Sequence, residues 1–222
     1  MKIVSVGCSF TEGTGVGRKN AYTSHLADLC NCEYENYGES GHSNQYIFRK
    51  SIELIQNWNT NDVLIIQWTG PNRQEIITKE GYLFYSPWSN FMSLQFLFGQ
   101  DAANHPNAKK FDKNTQSEII KNYSNIIDEY TERLTNEDYS NTMSLCYQIS
   151  LFNMLENLNI KHIQFYGWDS IKLDIKHLVN DKFLTESFSN YTDTPNNEHP
   201  NLDGHIKWSN YLFGNLKKFK YI

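Results

Sequence analysis

Apolar residues recur along this chain in two rhythms. Lys2 to Val6 is a short, β-branched run that reads as a buried strand, and it stops at Gly7, where the chain turns. Ala21 to Leu29 has helical spacing with Leu26 and Leu29 on its apolar side, and Glu33 to Tyr37 reads as a second strand. Gln45 to Trp58 is helical through Ile47, Ile52, Leu54 and Ile55, and Asp62 to Gln67 is a third buried strand centred on VLII. From Ile76 to about Asn114 no period is sustained. That segment, crowded with aromatics in YLFYSPWSNFMSLQFLF, reads as a helical or irregular excursion packing its rings on the core, with a wall or lid over a site as the functional alternative. Gln116 to Leu134 and Thr142 to Leu158 have helical spacing, Ile160 to Tyr166 is a late strand, and a final helix runs from about Leu202 to Leu216. Strands alternating with helices predict an α/β fold with a mostly parallel, doubly wound sheet.

Length and charge narrow the function. At 222 residues the chain can bury one sizeable core and is short for two, so a single domain over 1–222 is expected, with the aromatic-rich stretch at about 76–115 as an insertion. A net charge of −5 and a pI near 5.8 supply no basic footprint, so no nucleic-acid partner is expected. No apolar run approaches the ~20 residues of a membrane span, and MKIVSVGCS lacks the long apolar region of a signal peptide. These features predict a cytoplasmic or virion-associated protein without membrane contact. Cys8, Cys30, Cys32 and Cys146 form neither a CxxC pair nor zinc-like spacing with His, so free thiols and no metal or cofactor are expected.

The polar residues gather where the predicted strands end. Ser9 follows β-type residues and a glycine, at the edge where open α/β sheets carry their chemistry. A phosphate loop is excluded, because Gly17 has Glu12 five residues before it and Arg18-Lys19-Asn20 after it. Gly13, Gly15 and Gly17 form GxGxG rather than the dinucleotide fingerprint. The segment by itself leaves a plain turn and a nucleophile loop both open. Cys8 is a rival nucleophile, but its side chain is expected on the opposite side of the turn from Ser9. Further on, NYGESGHSN forms a Gly-rich loop after the second strand, and WTGPNRQE closes the third. Near the C-terminus, His199 precedes Pro200 in a loop before the last helix, where proline keeps it out of helical geometry. A second HPN tripeptide occurs at His105-Pro106-Asn107. His205 is expected to pack or cap on the final helix, and Asp203 to interact with that helix's dipole.

Together these blocks resemble the SGNH, or GDSL-type, hydrolases, whose motifs are spread over nearly the whole chain. GCSFTEG resembles the first block, with Ser9 as nucleophile and Cys8 in place of the family's Asp; Gly41 matches the second and His199 in HPNLDGHIKW the last. The order of elements disfavours His105. The third block departs from the family pattern: Thr69 stands where an Asn is usual, with Asn72 as a nearby amide. Trp68, Thr69 and Arg73 resemble a branch often met among phage-encoded members, and Trp68 and Arg73 are candidate substrate contacts. The family's triad Asp falls at Asn196, with Asn197 and Glu198 adjacent and Asp193 more distant.

The resemblance implies a three-layer α/β/α sandwich with a flavodoxin-like sheet of about five strands. It also implies a serine esterase acting on acyl or acetyl esters of a small molecule or glycan. Ser9 would attack, His199 would move the proton, and Ser9, Gly41 and Thr69 or Asn72 would hold the oxyanion. The absent Asp residues keep open a weakly active or inactive binding or structural module of the same fold, and an acyltransferase is a further alternative.

Overall fold

The computed structural model describes residues 1–78, 81–85, 137–168, 174–175, 177–193 and 199–222. Among these residues, six strands and five α-helices follow in the order β1 (Lys2–Gly7), α1 (Ser9–Glu12), α2 (Tyr22–Cys30), β2 (Glu33–Gly38), α3 (Asn44–Ile55), β3 (Val63–Trp68), β4 (Gln74–Thr78), β5 (Gly81–Tyr85), α4 (Glu137–Asn157), β6 (Lys161–Tyr166) and α5 (Leu202–Lys218). Four strands form a parallel sheet in the order β2-β1-β3-β6, in register at Val4–Glu35, Val4–Leu64 and Leu64–His162. The expectation of about five strands meets a vestige of a fifth. Phe183 makes a one-residue parallel bridge to Gln164, with hydrogen bonds from the Gln164 N–H to Lys182 O and from the Leu184 N–H to Gln164 O, each 2.8 Å.

The period-two alternation of the strands sorts the core into two layers. Ile3, Val63, Ile65, Ile163 and Phe165 face Tyr22 and Leu26 of α2 and Trp208, Leu212 and Leu216 of α5. Val4, Val6, Leu64, Ile66 and Trp68 face Tyr46 and Ile47 of α3 and Leu151, Phe152 and Leu155 of α4. Both faces of β1, β3 and β6 are therefore covered, as a parallel sheet requires. Burying each large apolar side chain in these layers contributes about 1.5–3 kcal/mol.

Two expectations change. The excursion expected from Ile76 begins as a hairpin, β4 pairing antiparallel with β5 at Glu75–Phe84 and Ile77–Tyr82, because β-branched and aromatic residues on both arms favour strands. The rest of that segment, His105 and the expected helix Gln116 to Leu134 lie outside the described residues. The helix expected from Thr142 is already formed at Glu137, the first described residue of that segment. Among the described residues, no helix is long and apolar enough to cross a membrane.

Candidate active site

Every loop with candidate chemistry leaves the carboxyl edge of the parallel sheet. After Gly7, Cys8 is the N-cap of the four-residue helix α1, and Gly13 closes that helix in the left-handed conformation at φ 84°. Ser9 is the first helical residue and only 3% exposed. Gln67, the penultimate residue of β3, fixes this turn. Its Oε1 accepts the Thr11 N–H at 3.0 Å and the Thr11 hydroxyl at 2.7 Å, and its Nε2 donates to Cys8 Sγ at 3.0 Å. Tyr22 extends the network, its hydroxyl 3.0 Å from Thr11 Oγ1. Gln67 escaped the sequence reading; its signal is an amide inside a wholly buried strand. The expectation that Cys8 points away from Ser9 is corrected, since Sγ lies 3.9 Å from Ser9 Oγ, drawn to that side by the Gln67 amide.

The second loop is tied to the first. At Gly38 a Cβ would lie 2.2 Å from the Glu12 nitrogen, so only glycine lets the end of β2 abut α1. The Glu12 carboxylate accepts the Ser40 N–H at 2.9 Å and also the Ser40 hydroxyl. Thr14 Oγ1 lies 2.6 Å from Ser40 Oγ, and Arg18 donates to Gly38 O at 2.6 Å and to Glu39 at 3.3 Å. Gly41 sits in this tethered loop at φ 80°, a conformation that glycine adopts without strain. Next to it His42 is buried against Tyr46, ring centroids 4.2 Å apart, and its Nδ1–H donates to Ser40 O at 3.2 Å. Burial, with the Arg49 and Arg73 charges adding to it, pushes the His42 pKa down to about 3.

At the end of β3, Trp68 is fully buried and its indole N–H donates to Gln164 Oε1 at 2.9 Å. This corrects the expectation of a substrate contact: Trp68 is a core residue. The Thr69 backbone is clasped by Asn44, which accepts its N–H at 2.8 Å and donates to its carbonyl at 2.9 Å. Thr69 Oγ1 is buried without a hydrogen-bond partner. Asn72 and Arg73 follow in a turn closed by the Arg73 N–H on Gly70 O at 3.3 Å. The Arg73 guanidinium lies 5.4 Å over the ring of Trp168, which follows β6 and packs 4.2 Å from Phe10. Trp168 is a further residue of this cluster that the sequence reading missed.

His199 arrives from the opposite end of the sequence. Its side chain is exposed, with its ring edge-on to Phe10 at 5.7 Å, so that it packs on the residue following Ser9. Partial desolvation, then the Arg73 charge, holds its imidazole below the usual histidine pKa, with Glu12 opposing. Asn196, Asn197 and Glu198 lie outside the described residues. Asp193 is exposed and 3.7 Å from Lys207 Nζ. His205 packs within α5 as expected, its Nδ1 accepting the Tyr22 N–H at 3.1 Å and its ring stacked on Tyr22. Asp203, in the first turn of α5, pairs with Lys207 at 2.6 Å. A cavity of about 710 Å³ beside β6, lined by Tyr166, Ile175, Val179 and Phe183, includes none of the candidate residues. Among the described residues no three His, Cys, Asp or Glu side chains converge as a metal site.

The parallel sheet with helices on both faces has the fold of a GDSL-family lipolytic protein. Compared by sequence, the chain matches no family model and no curated protein. Compared by structure, it is similar to a G-D-S-L family protein from Desulfitobacterium hafniense, with a TM-score of 0.51 and 13% identity over 96% of this chain and 98% of that one. It is also similar to an acetyl xylan esterase from the rumen bacterium Butyrivibrio proteoclasticus, with a TM-score of 0.51 and 11% identity. That match covers 100% of this chain and 65% of the esterase, so the chain spans somewhat less than two thirds of its length. At these identities the likeness is one of fold.

Proposed function

We propose that this chain is a serine esterase that hydrolyses acyl or acetyl esters, with Ser9 as nucleophile and His199 as general base. The observation that carries the reading is the convergence at one sheet edge of the Ser9 turn, the tethered Gly41 loop, the Thr69 strand end and His199 on Phe10. Ser9 Oγ attacks the ester carbonyl, and His199 takes its proton and returns it to the leaving alcohol. A depressed pKa favours the neutral imidazole, the form a base needs. Thr69 is favoured over Asn72 as the third oxyanion donor, alongside the proposed N–H donors of Ser9 and Gly41, because its hydroxyl is buried and unpartnered. Asn196 or Glu198 would orient His199. A carbohydrate is one candidate carrier of the ester, by analogy of fold with the acetyl xylan esterase.

One observation favours a second reading, a weakly active or inactive binding module: Ser9 is almost wholly buried, with a thiol beside it where the family resemblance places a carboxylate. Fluorophosphonate labelling separates the two. Stoichiometric labelling of the wild type, lost in both Ser9→Ala and His199→Ala, is the expected result. A folded protein that takes no label would establish the module instead.

A further inference from the structure

We infer that the Arg73 guanidinium is an anion-binding subsite of the candidate active site, so that the ester taken there also carries a carboxylate or comparable oxyanion. This rests on the esterase reading for the word ester, and on independent geometry for the anion. Of the three arginines among the described residues, Arg18 and Arg49 each place a terminal nitrogen on a carboxylate, at 3.3 Å to Glu39 and 2.6 Å to Glu75. Arg73 has no such partner among the described residues, and both its Nε and its Nη1 are buried without an acceptor. Buried, charged donors left unpaired are costly, and a planar guanidinium matches a carboxylate with paired N–H groups.

Three carboxylates among the described residues are committed elsewhere. Glu12 is held by Ser40 and lies 3.9 Å from Arg18, Glu39 is on Arg18, and Glu75 is on Arg49. The position of Arg73 is central: its charge acts on His42, beside Gly41, and on His199. Its contact with Trp168 holds the head group there, while Phe10 packs on the same indole. The indole is thereby occupied by protein, so the cluster offers charge recognition rather than a platform for a sugar ring. The anion of the substrate can sit on either the acyl or the alcohol side.

The test begins with calorimetric titration of Ser9→Ala protein with 3-acetoxybenzoate and with its uncharged methyl ester. The acid should bind at least about tenfold more tightly. The advantage should vanish in Ser9→Ala/Arg73→Gln and be partly kept in Ser9→Ala/Arg73→Lys. Wild-type kcat/KM then assigns the side: preference for 3-acetoxybenzoate over its methyl ester places the charge on the alcohol, and preference for the 4-nitrophenyl monoester of terephthalate over its methyl ester places it on the acyl group. Equal binding and equal turnover of acid and methyl ester overturn the subsite, and this comparison needs no change at position 73. Labelling of Ser9 without charge preference would leave the esterase and remove the subsite; Arg73-dependent acid binding without labelling would do the reverse.

Discussion

Mild acid should strongly destabilise this protein through three buried histidines. His42, His162 and His205 are at most 1% exposed. His162 Nε2 donates to Glu156 at 2.9 Å, but burial outweighs that carboxylate and pushes the pKa down to about 4. Burial, aided by the neighbouring His25 and His199, likewise pushes His205 down to about 4, and His42 is at about 3. All three folded values lie below the ordinary 6.5, so below that pH the unfolded chain binds more protons, and stability falls with pH down to the folded values. At pH 5 the free energy lost relative to pH 7 is roughly 2 kcal/mol per histidine and roughly 6 kcal/mol for the three. That is comparable to the whole stability of a domain, about 5–15 kcal/mol. Urea unfolding followed by tryptophan fluorescence at pH 7, 6 and 5 measures the loss. His205→Asn keeps an acceptor for the Tyr22 N–H and removes the titration, so it should flatten the pH dependence by about a third. An unfolding free energy that stays constant from pH 7 to 5, or an unchanged pH dependence in His205→Asn, would refute the reasoning. The consequence for function is direct: Tyr22 bonds both His205 and Thr11, so protonating His205 loosens the network that holds the Ser9 turn.

Two substitutions separate structure from chemistry. Thr69→Val keeps the shape and removes a buried hydroxyl that has no partner, so urea unfolding should show stability unchanged or raised. If that hydroxyl holds the oxyanion, kcat should nonetheless fall about 10²–10³-fold; equal loss of stability and activity would contradict the assignment. Gln67→Leu strands the buried Thr11 N–H and should cost about 1–3 kcal/mol in the same assay, together with slower fluorophosphonate labelling. A stability change below about 0.5 kcal/mol would show that Gln67 does not clamp the turn.

The centre of the sheet was legible because β1 and β3 are buried on both faces. Val63 to Ile66 and Ile3 to Val6 announce themselves as apolar, β-branched runs, and the helices between them have clear periods. The loops were legible by position, since Ser9, Gly41 and Thr69 each follow a strand. Long-range partnerships left no comparable trace. Gln67 reaches back 56 residues to Thr11, and Trp168 meets Phe10 and Arg73 only because β6 lies beside β3. Trp68 misled for the same reason: it ends a strand like a site residue, but the pleat turns it into the core, where Gln164 satisfies its indole. The hairpin at Gln74 was hidden by aromatic crowding, which masks a two-residue alternation within a longer apolar stretch.

The thiol at position 8 and the amide at position 67 belong to one arrangement. An Asp at an N-cap normally accepts an N–H from the second or third helical residue. Cys8 makes no such side-chain bond; instead Gln67, from the neighbouring strand, accepts the N–H of Thr11, the third residue of α1. The cap is thus supplied from across the sheet and is neutral. It takes only the third N–H of the helix, and it adds no negative charge beside Ser9, where a carboxylate would oppose both a developing oxyanion and an anionic substrate. A site without that charge, with Glu12 committed to Ser40 and Arg73 unpaired among the described residues, is electrostatically biased toward negative groups. The neutral thiol at position 8 and the arginine without a carboxylate partner among the described residues therefore act in the same direction.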